Sequence, residues 1–429
     1  MINSLYTTLL TFGLVLSSPF FALKILTTSR YRRGLSQRLG FRYKPISEKV
    51  GDEKPIWIHA ASVGEVLGSL PIINGIKGAR PELPILLSTM TATGNEVAEK
   101  RASGVHATTF FPLDHPWAVG RAISLVNPRA FLMAETEIWP NFLMELGRRE
   151  IPVLLFNGRI STRSLQWYKR FRFFIASPLT AISAFCMQSS LDAQRIIEIG
   201  ANPKRVTVTG NIKFDQPPPE ITRREREALL QTLGLHAGQP VLIAGSTHRG
   251  EEEFMLKVLR LLSPEYPDLV LLLAPRHLER VDEVGALLKR EKIPWRLKSQ
   301  LSAGEKREGA PVILLDTLGE LAKLYSIGTL IFVGGSLVKV GGHNILEPLF
   351  FKKPVLFGPF MDNFREISHE VLSRGAGFQI SGEEEMVLHA KTFLENPSLR
   401  SRMGECGFEI ISDNRGATKK TLETILRFV

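Results

Sequence analysis

Short apolar runs alternate with segments of helical length along nearly the whole chain from residue 55, and this pattern constrains the fold more than any other feature. Runs such as Ile56–His59, Ile85–Thr89 and Leu330–Val333 are rich in leucine and β-branched residues, as buried strands are. Strands separated by helices lie parallel, with helices covering both faces of the sheet. The sequence therefore predicts an α/β fold built from parallel sheets.

The alternation is interrupted once, by Gln216 and three prolines at 217–219, after which a charged stretch at 223–226 opens a helix. A proline-rich break between two regular series is typical of an interdomain linker. We predict seven strands before the break and five after it, and 429 residues suit two to three domains. The predicted organisation is a Rossmann-like domain over 30–215, a linker over 216–225, a second Rossmann-like domain over 226–410 and a C-terminal helix over 411–429.

The first 23 residues contain no charged side chain, whereas residues 24–49 contain eight basic residues and one acid. About twenty apolar residues in a helix cover the hydrocarbon core of a bilayer, about 30 Å thick. A cleaved signal peptide would instead carry basic residues before its apolar run and a small-residue cleavage site after it. We predict a membrane-anchor helix over 1–29, with the body of the protein on the cytoplasmic face of the inner membrane and anionic lipid as a partner. A buried core helix, diluted by threonine and serine, is the alternative.

The net charge is +11, and the first 50 residues carry +7 of it. Because this excess lies beside an apolar segment and not on a groove-reading element, nucleic acid is not predicted as a partner. Cys186 and Cys406 form no C-x-x-C or Cys/His spacing, which disfavours a disulfide framework and a zinc site. His248, His277 and His343 lie on separate loops, and we predict neither a metal nor a cofactor.

Polar and glycine residues accumulate directly after the predicted strands of both halves. In open parallel sheets, ligands bind beyond the carboxyl ends of the strands. Glu65 follows the first strand and a turn at Gly64, at the start of a predicted helix. Its carboxylate suits a general base, and it equally suits an acid that complements a helix N-terminus. Neither half carries G-x-G-x-x-G after its first strand, which disfavours a dinucleotide-dependent oxidoreductase.

A series of short segments, in order over nearly the whole chain, carries a specific resemblance: SVGE at 62–65, TMTATG at 89–94, ETEIWPN at 135–141, VTGNIKFD at 208–215, STH at 246–248, PRH at 275–277, GGSL at 334–337 and GGHNILE at 341–347. Together they resemble the 3-deoxy-D-manno-octulosonic acid (Kdo) transferases of lipopolysaccharide assembly. That family has the GT-B glycosyltransferase fold. The resemblance therefore implies two Rossmann-like domains facing across a cleft.

The resemblance also implies the reaction, which is transfer of Kdo from CMP-Kdo to a glucosamine hydroxyl of a lipid A precursor of the lipid IVA type, with inversion at the anomeric carbon. Glu65 is then expected to be the general base that takes the hydroxyl proton. Glu135 and Lys213 correspond to residues that stabilise the transition state in this family. CMP-Kdo is the donor substrate and the lipid A precursor is the acceptor.

Two groups of binding residues follow from the same resemblance. CMP contacts are implied at nine positions: Pro275, Arg276, Gly319, Glu320, Leu321, Asn344, Ile345, Leu346 and Glu347. A guanidinium such as that of Arg276 offers a fork of donors for phosphate oxygens. For the phosphates of the acceptor lipid, we expect three cations of the first domain: Arg38, Arg159 and Arg163.

Two other functions remain open from the sequence. One is a membrane-associated GT-B glycosyltransferase that uses a UDP-sugar, which competition by CMP and UDP would distinguish. The other is a non-catalytic, membrane-anchored nucleotide-binding protein, for which substitution of Glu65 would change no activity.

Overall fold

The computed structural model describes residues 2–27, 32–51, 53–216, 220–302 and 305–429. They divide into two compact units. Unit 1 comprises the chain up to Gln216 together with Asn414–Val429, and unit 2 comprises the intervening chain up to Asp413. Each unit is built around one parallel sheet of seven strands, so the predicted α/β class with two Rossmann-like sheets is confirmed.

The sheet of unit 1 has the strand order β3-β2-β1-β4-β5-β6-β7. Its central strand β1 pairs with β2 on one side and with β4 on the other, always in parallel. The order therefore reverses between β1 and β4, and in open α/β sheets this is the point at which ligands bind. The strands are β1 (Ile56–His59), β2 (Ile85–Thr89), β3 (Ala107–Phe110), β4 (Ala130–Ala134), β5 (Val153–Gly158), β6 (Ile182–Met187) and β7 (Val206–Val208).

The sheet of unit 2 also has seven strands, in the order β10-β11-β9-β8-β12-β13-β14, and it differs from that of unit 1 in that β11 lies between β9 and the edge strand β10. Here β8 pairs with β9 and with β12, so the order reverses between β8 and β12. The strands are β8 (Val241–Thr247), β9 (Val270–Pro275), β10 (Trp295–Leu297), β11 (Val312–Leu314), β12 (Leu330–Val333), β13 (Val355–Phe357) and β14 (Gly377–Gln379).

Helices fill the connections between these strands. Those of the N-terminal part are α1 (Ile2–Thr27), α2 (Leu35–Arg38), α3 (Lys44–Val50), α4 (Val63–Ala79), α5 (Ala92–Arg101), α6 (Pro116–Val126), α7 (Pro140–Arg148), α8 (Thr162–Arg170), α9 (Arg172–Thr180) and α10 (Ser190–Glu198). Those of unit 2 are α11 (Arg223–Thr232), α12 (Glu251–Leu262), α13 (Val281–Arg290), α14 (Lys298–Ser302), α15 (Leu321–Leu324), α16 (Leu346–Phe350), α17 (Arg365–Ser373), α18 (Glu383–Glu395) and α19 (Pro397–Asp413). The last helix, α20 (Ala417–Ile425), belongs to unit 1.

Alternate residues of each central strand enter cores on opposite faces of the sheet. In β1, Trp57 enters a core that includes Phe142 of α7, and the two rings meet edge to face with centroids 5.3 Å apart. The next residue, Ile58, enters the other core together with Val66 of α4. The helices that follow β1 and β4 therefore cover opposite faces, as a reversal of strand order requires.

Two strands escape prediction from the sequence. β10 and β14 are three-residue edge strands, and most of their side chains are at least partly exposed. They consequently lack the apolar runs on which the other twelve strands were recognised. Three predicted strands, Ile56–His59, Ile85–Thr89 and Leu330–Val333, have the predicted bounds, and the others shift at their ends by up to three residues.

The structure also differs from two predicted boundaries. α11 already begins at Arg223, because Thr222 and Glu225 form a reciprocal capping box, so the predicted linker 216–225 ends in a helix. In place of one helix over 411–429, α19 ends at Asp413 and α20 starts after Gly416, whose φ of 98° breaks the helix. The prolines at 217–219, residues 28 and 29 of the predicted anchor, and Arg30 lie outside the described residues.

α1 is long and apolar enough to cross a membrane, with a mean hydropathy of 1.9 over an 18-residue window within residues 4–27. No described side chain in this stretch is buried, and Leu16 is 73% exposed and Phe20 57%. A helix within a soluble core would bury such side chains. The first turns of α1 are nevertheless attached to unit 1, because the Tyr6 hydroxyl donates to Asp114 and the Thr7 hydroxyl to Asn141, each at 3.0 Å.

The C-terminal segment is attached to unit 1 by one carboxylate. Asp215 accepts hydrogen bonds from the backbone N–H groups of Gly416, at 2.6 Å, and of Thr418. Both groups belong to the first turn of α20, where the N–H groups lack partners within the helix. The helix then buries Ala417 and Ile425 in the core that contains Val66. Asp215 thus joins the two parts of the chain that form unit 1.

We expect Asp215→Asn to weaken this cap by about 1–2 kcal/mol, because it removes the negative charge at the helix N-terminus and one acceptor. Amide hydrogen exchange in α20 should accelerate about 5- to 30-fold, as measured by mass spectrometry. Asp362→Asn, at an exposed carboxylate of unit 2 paired with Arg365, is the control and should leave α20 unchanged. Unaltered exchange in the Asp215 variant would contradict the capping role.

Candidate active site

Glu65 lies in the first turn of α4, directly after β1, where the strand order of unit 1 reverses. One carboxylate oxygen accepts from the Ala61 N–H at 2.8 Å and the other from the Ser62 hydroxyl at 2.8 Å. Ser62 is the N-cap of the helix. These bonds hold the carboxylate in one orientation, and among the described residues Glu65 takes part in no ion pair.

Burial raises the pKa of Glu65 to about 7, with repulsion from Glu135 as the next cause. The hydrogen bonds from Ser62 and Ala61 lower the pKa, but their effect is smaller than that of burial and repulsion. A carboxylate that only complements a helix N-terminus would have a lowered pKa. A raised pKa suits a general base, because a base is most effective when its pKa lies near the working pH.

Glu135 and Glu137 follow β4, the strand next to β1, and form the acidic part of the site. Glu135 has a φ of 54°, a left-handed conformation that residues other than glycine rarely adopt and that is found at functional sites. Burial raises the pKa of Glu137, although its carboxylate accepts a hydrogen bond from the Trp139 indole at 3.1 Å. Both carboxylates are near enough to Glu65 to raise its pKa.

Lys213 lies in a short 3-10 helix, Ile212–Asp215, that is fastened to the end of β5. The Asn157 side chain accepts from the Ile212 N–H at 3.1 Å, and that of Asn211 accepts from the Lys213 N–H at 3.0 Å. Burial lowers the pKa of Lys213, while the charges of Glu135 and Glu65 raise it. The structure thus brings together the three predicted catalytic residues, as two carboxylates and a largely buried ammonium.

The three predicted acceptor-binding cations have different surroundings. Arg159 follows β5 and is near enough to Lys213 to lower its pKa, and its backbone is paired with the Thr136 hydroxyl. Arg163 is exposed on α8. Arg38 is half-buried, donates to the Met90 carbonyl and lies over the Phe110 ring at 4.8 Å. Arg38 therefore binds groups of its own chain.

In unit 2, a single carboxylate holds the loops that follow β8 and β12. Glu251, the first residue of α12, is 1% exposed. It accepts backbone hydrogen bonds from Gly335 at 2.7 Å, Ser336 at 3.0 Å, Leu337 at 2.9 Å and His248 at 2.9 Å. These amides are therefore occupied by the protein itself, and the loops at the reversal of strand order are held in place.

Part of the predicted CMP site gathers beside these loops. Arg276 is exposed after β9, and its charge opposes the rise in the pKa of Glu347 that burial causes. Asn344 accepts from the Leu346 N–H at 3.1 Å and donates to the Glu347 carboxylate at 3.3 Å. Arg276, Asn344 and Glu347 thus form one group with donors and acceptors for a nucleotide, while Ile345 and Leu346 are buried beneath it and Pro275 ends β9.

The remaining predicted CMP residues lie after β11. Gly319 has a φ of 80°, so glycine suits this turn, and the four-residue helix α15 begins at Leu321. The Glu320 carboxylate is engaged by Lys298 and by the Thr317 hydroxyl, which lower its pKa against the effect of burial. Contacts from this turn to a nucleotide would therefore come from its backbone.

Three histidines that the sequence places on separate loops meet next to Arg276. The Nε2 atoms of His248 and His343 are 2.8 Å apart, and their rings stack at an angle of 8°. The His277 ring is 5.7 Å from that of His248. Burial and the charge of Arg276 lower the pKa of His343 to about 3. Among the described residues, no group of three or more histidine, cysteine or acidic side chains could hold a metal ion.

Comparison with known proteins shows which family this chain resembles. Residues 33–216 match the family model described as 3-Deoxy-D-manno-octulosonic-acid transferase (kdotransferase). A 3-deoxy-D-manno-octulosonic acid transferase of Haemophilus influenzae is 36% identical over 421 residues, which cover 98% of this chain and 97% of that protein. One from Bordetella pertussis is 30% identical over 379 residues, 86% of each chain.

A solved structure of a glycosyltransferase from Rickettsia africae has a TM-score of 0.58 at 13% identity, covering 88% of this chain and 99% of that one. At this identity the likeness shows the fold alone, which is the two-unit α/β fold of the GT-B class. The sequence identities show more, because they extend over nearly the full length of the relatives. This chain belongs to the 3-deoxy-D-manno-octulosonic acid (Kdo) transferases, a family of glycosyltransferases.

Proposed function

We propose that this protein transfers Kdo from CMP-Kdo to a lipid A precursor of the lipid IVA type, with inversion, in lipopolysaccharide core assembly. The observation that carries the proposal is Glu65, a carboxylate held at the reversal of strand order with a pKa raised to about 7. Family membership supports the sugar that is transferred. The donor and the acceptor follow from the resemblance of the site segments.

In the proposed reaction, an acceptor hydroxyl oxygen attacks the anomeric carbon of Kdo as the bond from that carbon to the CMP phosphate breaks. The bonding electron pair leaves with the phosphate, and the hydroxyl proton passes to the Glu65 carboxylate. Attack from the face opposite the leaving group inverts the configuration. Lys213 supplies positive charge beside Glu65. This charge stabilises the carboxylate of the sugar and the negative charge that develops on the phosphate.

Unit 2 supplies the nucleotide-binding residues in this proposal. Arg276 binds the phosphate, and Asn344 and Glu347 offer hydrogen bonds to the ribose and the base. Arg159 and Arg163 bind phosphates of the acceptor lipid. Arg38 is assigned a positioning role, because its guanidinium holds the Met90 carbonyl at the loop after β2.

Glu65→Gln tests the general base. Because the amide of a glutamine side chain cannot take the proton, we expect kcat to fall by about 10²- to 10⁴-fold, with CMP binding and thermal stability nearly unchanged. The assay incubates purified protein with CMP-Kdo and a tetraacyl, bisphosphorylated lipid A precursor and measures product mass, which also counts the sugars added. Glu225→Gln is the matched control, since Glu225 has the same position in its helix as Glu65. Wild-type activity in the Glu65 variant would contradict the proposal and favour a non-catalytic protein.

The pH dependence of the reaction tests the surroundings of Glu65. The base acts only when deprotonated, so kcat/KM should fall as the pH decreases below about 7, and not near the ordinary glutamate value of 4.5. Glu137→Gln removes a charge that raises the pKa of Glu65, so the inflection should move to lower pH. Glu82 is an exposed glutamate of the same unit, and Glu82→Gln is the control, which should leave the inflection at its wild-type pH. An inflection below pH 5 in the wild type would contradict the assignment.

We further propose that α1 anchors the protein to the cytoplasmic face of the inner membrane. Because the Tyr6, Thr7 and Thr11 side chains contact unit 1, the stretch proposed to meet the bilayer is 12–27. Arg33, which follows the helix, is paired with Glu96 of unit 1, so both ends of this stretch stay on the side of unit 1 and the helical stretch, about 24 Å long, would lie along the bilayer surface. The basic residues that follow it are suited to anionic headgroups.

The double variant Leu16→Glu/Phe20→Glu tests the anchor. Both side chains are exposed in the structure, so unit 1 should fold normally, whereas each buried charge in a bilayer disfavours insertion by about 100-fold. We expect the protein to move from the membrane fraction to the soluble fraction in a flotation assay. Leu388→Glu, at a leucine of unit 2 that is 62% exposed, is the control. Complete retention of the double variant on membranes would contradict the anchor.

A further inference from the structure

The helices α8 and α9 each expose a large aromatic side chain. Trp167 is 59% exposed and Phe173 is 49% exposed. The Trp167 ring stacks on that of Phe171, with centroids 5.0 Å apart, and Phe173 contacts Phe174 at 4.0 Å. Exposed aromatic rings that are clustered in this way mark interaction sites more often than single exposed residues do.

This aromatic surface is continuous with α1. The Phe174 ring lies 6.0 Å from that of Tyr6, and α9 packs against α1. Leu5 and Leu9, the exposed apolar side chains in the first turns of α1, therefore lie on the same part of unit 1 as the rings of α9. Any bilayer that receives α1 would lie next to Trp167 and Phe173.

The charge of the segment is entirely positive. No acidic residue occurs from residue 151 to residue 191. Arg163, Lys169, Arg170 and Arg172 are all exposed on α8 and α9, and Lys169 is paired with Glu198 of α10. Tryptophan and phenylalanine beside arginine are typical of segments at the boundary between lipid headgroups and acyl chains.

We propose that α8 and α9 form a second membrane-binding element, which inserts Trp167 and Phe173 into the boundary region of an anionic bilayer and places its arginines on lipid phosphates. The inference rests on the membrane association proposed for α1. A lipid surface fits better than a protein partner, because the rings continue the apolar surface of α1 and the surrounding charge is of one sign.

The same element touches the candidate active site. The Tyr168 hydroxyl of α8 donates to the Thr136 carbonyl at 3.3 Å, between Glu135 and Glu137. A bilayer bound to α8 would thus lie beside the loop that carries two of the three carboxylates. The element would hold the site close to a lipid acceptor that stays in the membrane.

Fluorescence quenching by lipids brominated near the headgroup tests the insertion in the full-length protein, reconstituted in vesicles that contain phosphatidylglycerol. Trp167→Phe should lose most of the quenchable fluorescence, and Trp295→Phe in unit 2 should lose none. Vesicles of phosphatidylcholine alone should give weaker quenching of Trp167. Equal quenching in the wild type and the Trp167 variant would overturn the proposal. Binding of a protein partner to this surface, in place of lipid, would also overturn it.

Transfer to two forms of the acceptor separates membrane binding from catalysis. Phe173→Glu should lower transfer to an acceptor in vesicles by about tenfold, while transfer to an acceptor dispersed in detergent stays within about twofold of wild type. Leu388→Glu should change neither. An equal loss in detergent would overturn the proposal, because Phe173 would then act through the fold or the site. Failure of the proposed function would appear separately, as absence of transfer by the wild-type protein. Failure of the proposed α1 anchor would appear as unchanged flotation of the Leu16→Glu/Phe20→Glu variant.

Discussion

The reversal of strand order in each parallel sheet is the constraint on which the candidate active site depends. In unit 1, β1 and β4 are neighbours, but their helices α4 and α7 cover opposite faces. The loops after these strands consequently separate, and Glu65 and Glu135 enter the space between them from two distant parts of the chain. A sheet with its strands in sequence order would send both helices to one face and close this space.

The properties of the site follow from competition between burial and hydrogen bonding. Glu65 receives two hydrogen bonds at a helix N-terminus, which favour the charged form, yet burial and the neighbouring Glu135 raise its pKa to about 7. Lys213 shows the converse, since burial lowers its pKa and the two carboxylates raise it. A base near neutrality beside a cation suits proton removal during the departure of an anionic group.

Unit 2 has a reversal of strand order as well, with different contacts. The buried Glu251 binds four backbone N–H groups from the loops after β8 and β12, and these loops carry His248 and precede His343. The carboxylate thereby aligns groups that would otherwise be loop residues with many conformations. Next to them lie Arg276, Asn344 and Glu347, the group proposed to bind the nucleotide. Each unit thus builds a polar site at the point where its strand order reverses, one with carboxylates and one with cationic and amide donors.

The sequence by itself determined the α/β class, twelve of the fourteen strands, the apolar helix and the family, because these depend on local apolar patterns and on ordered motifs. It missed β10 and β14, which are short and partly exposed, and the break between α19 and α20. Only the tertiary structure decided that Glu65 has a raised pKa, that Arg38 is occupied and that His248 meets His343. These properties depend on burial and on neighbours distant in the chain, which no local pattern encodes.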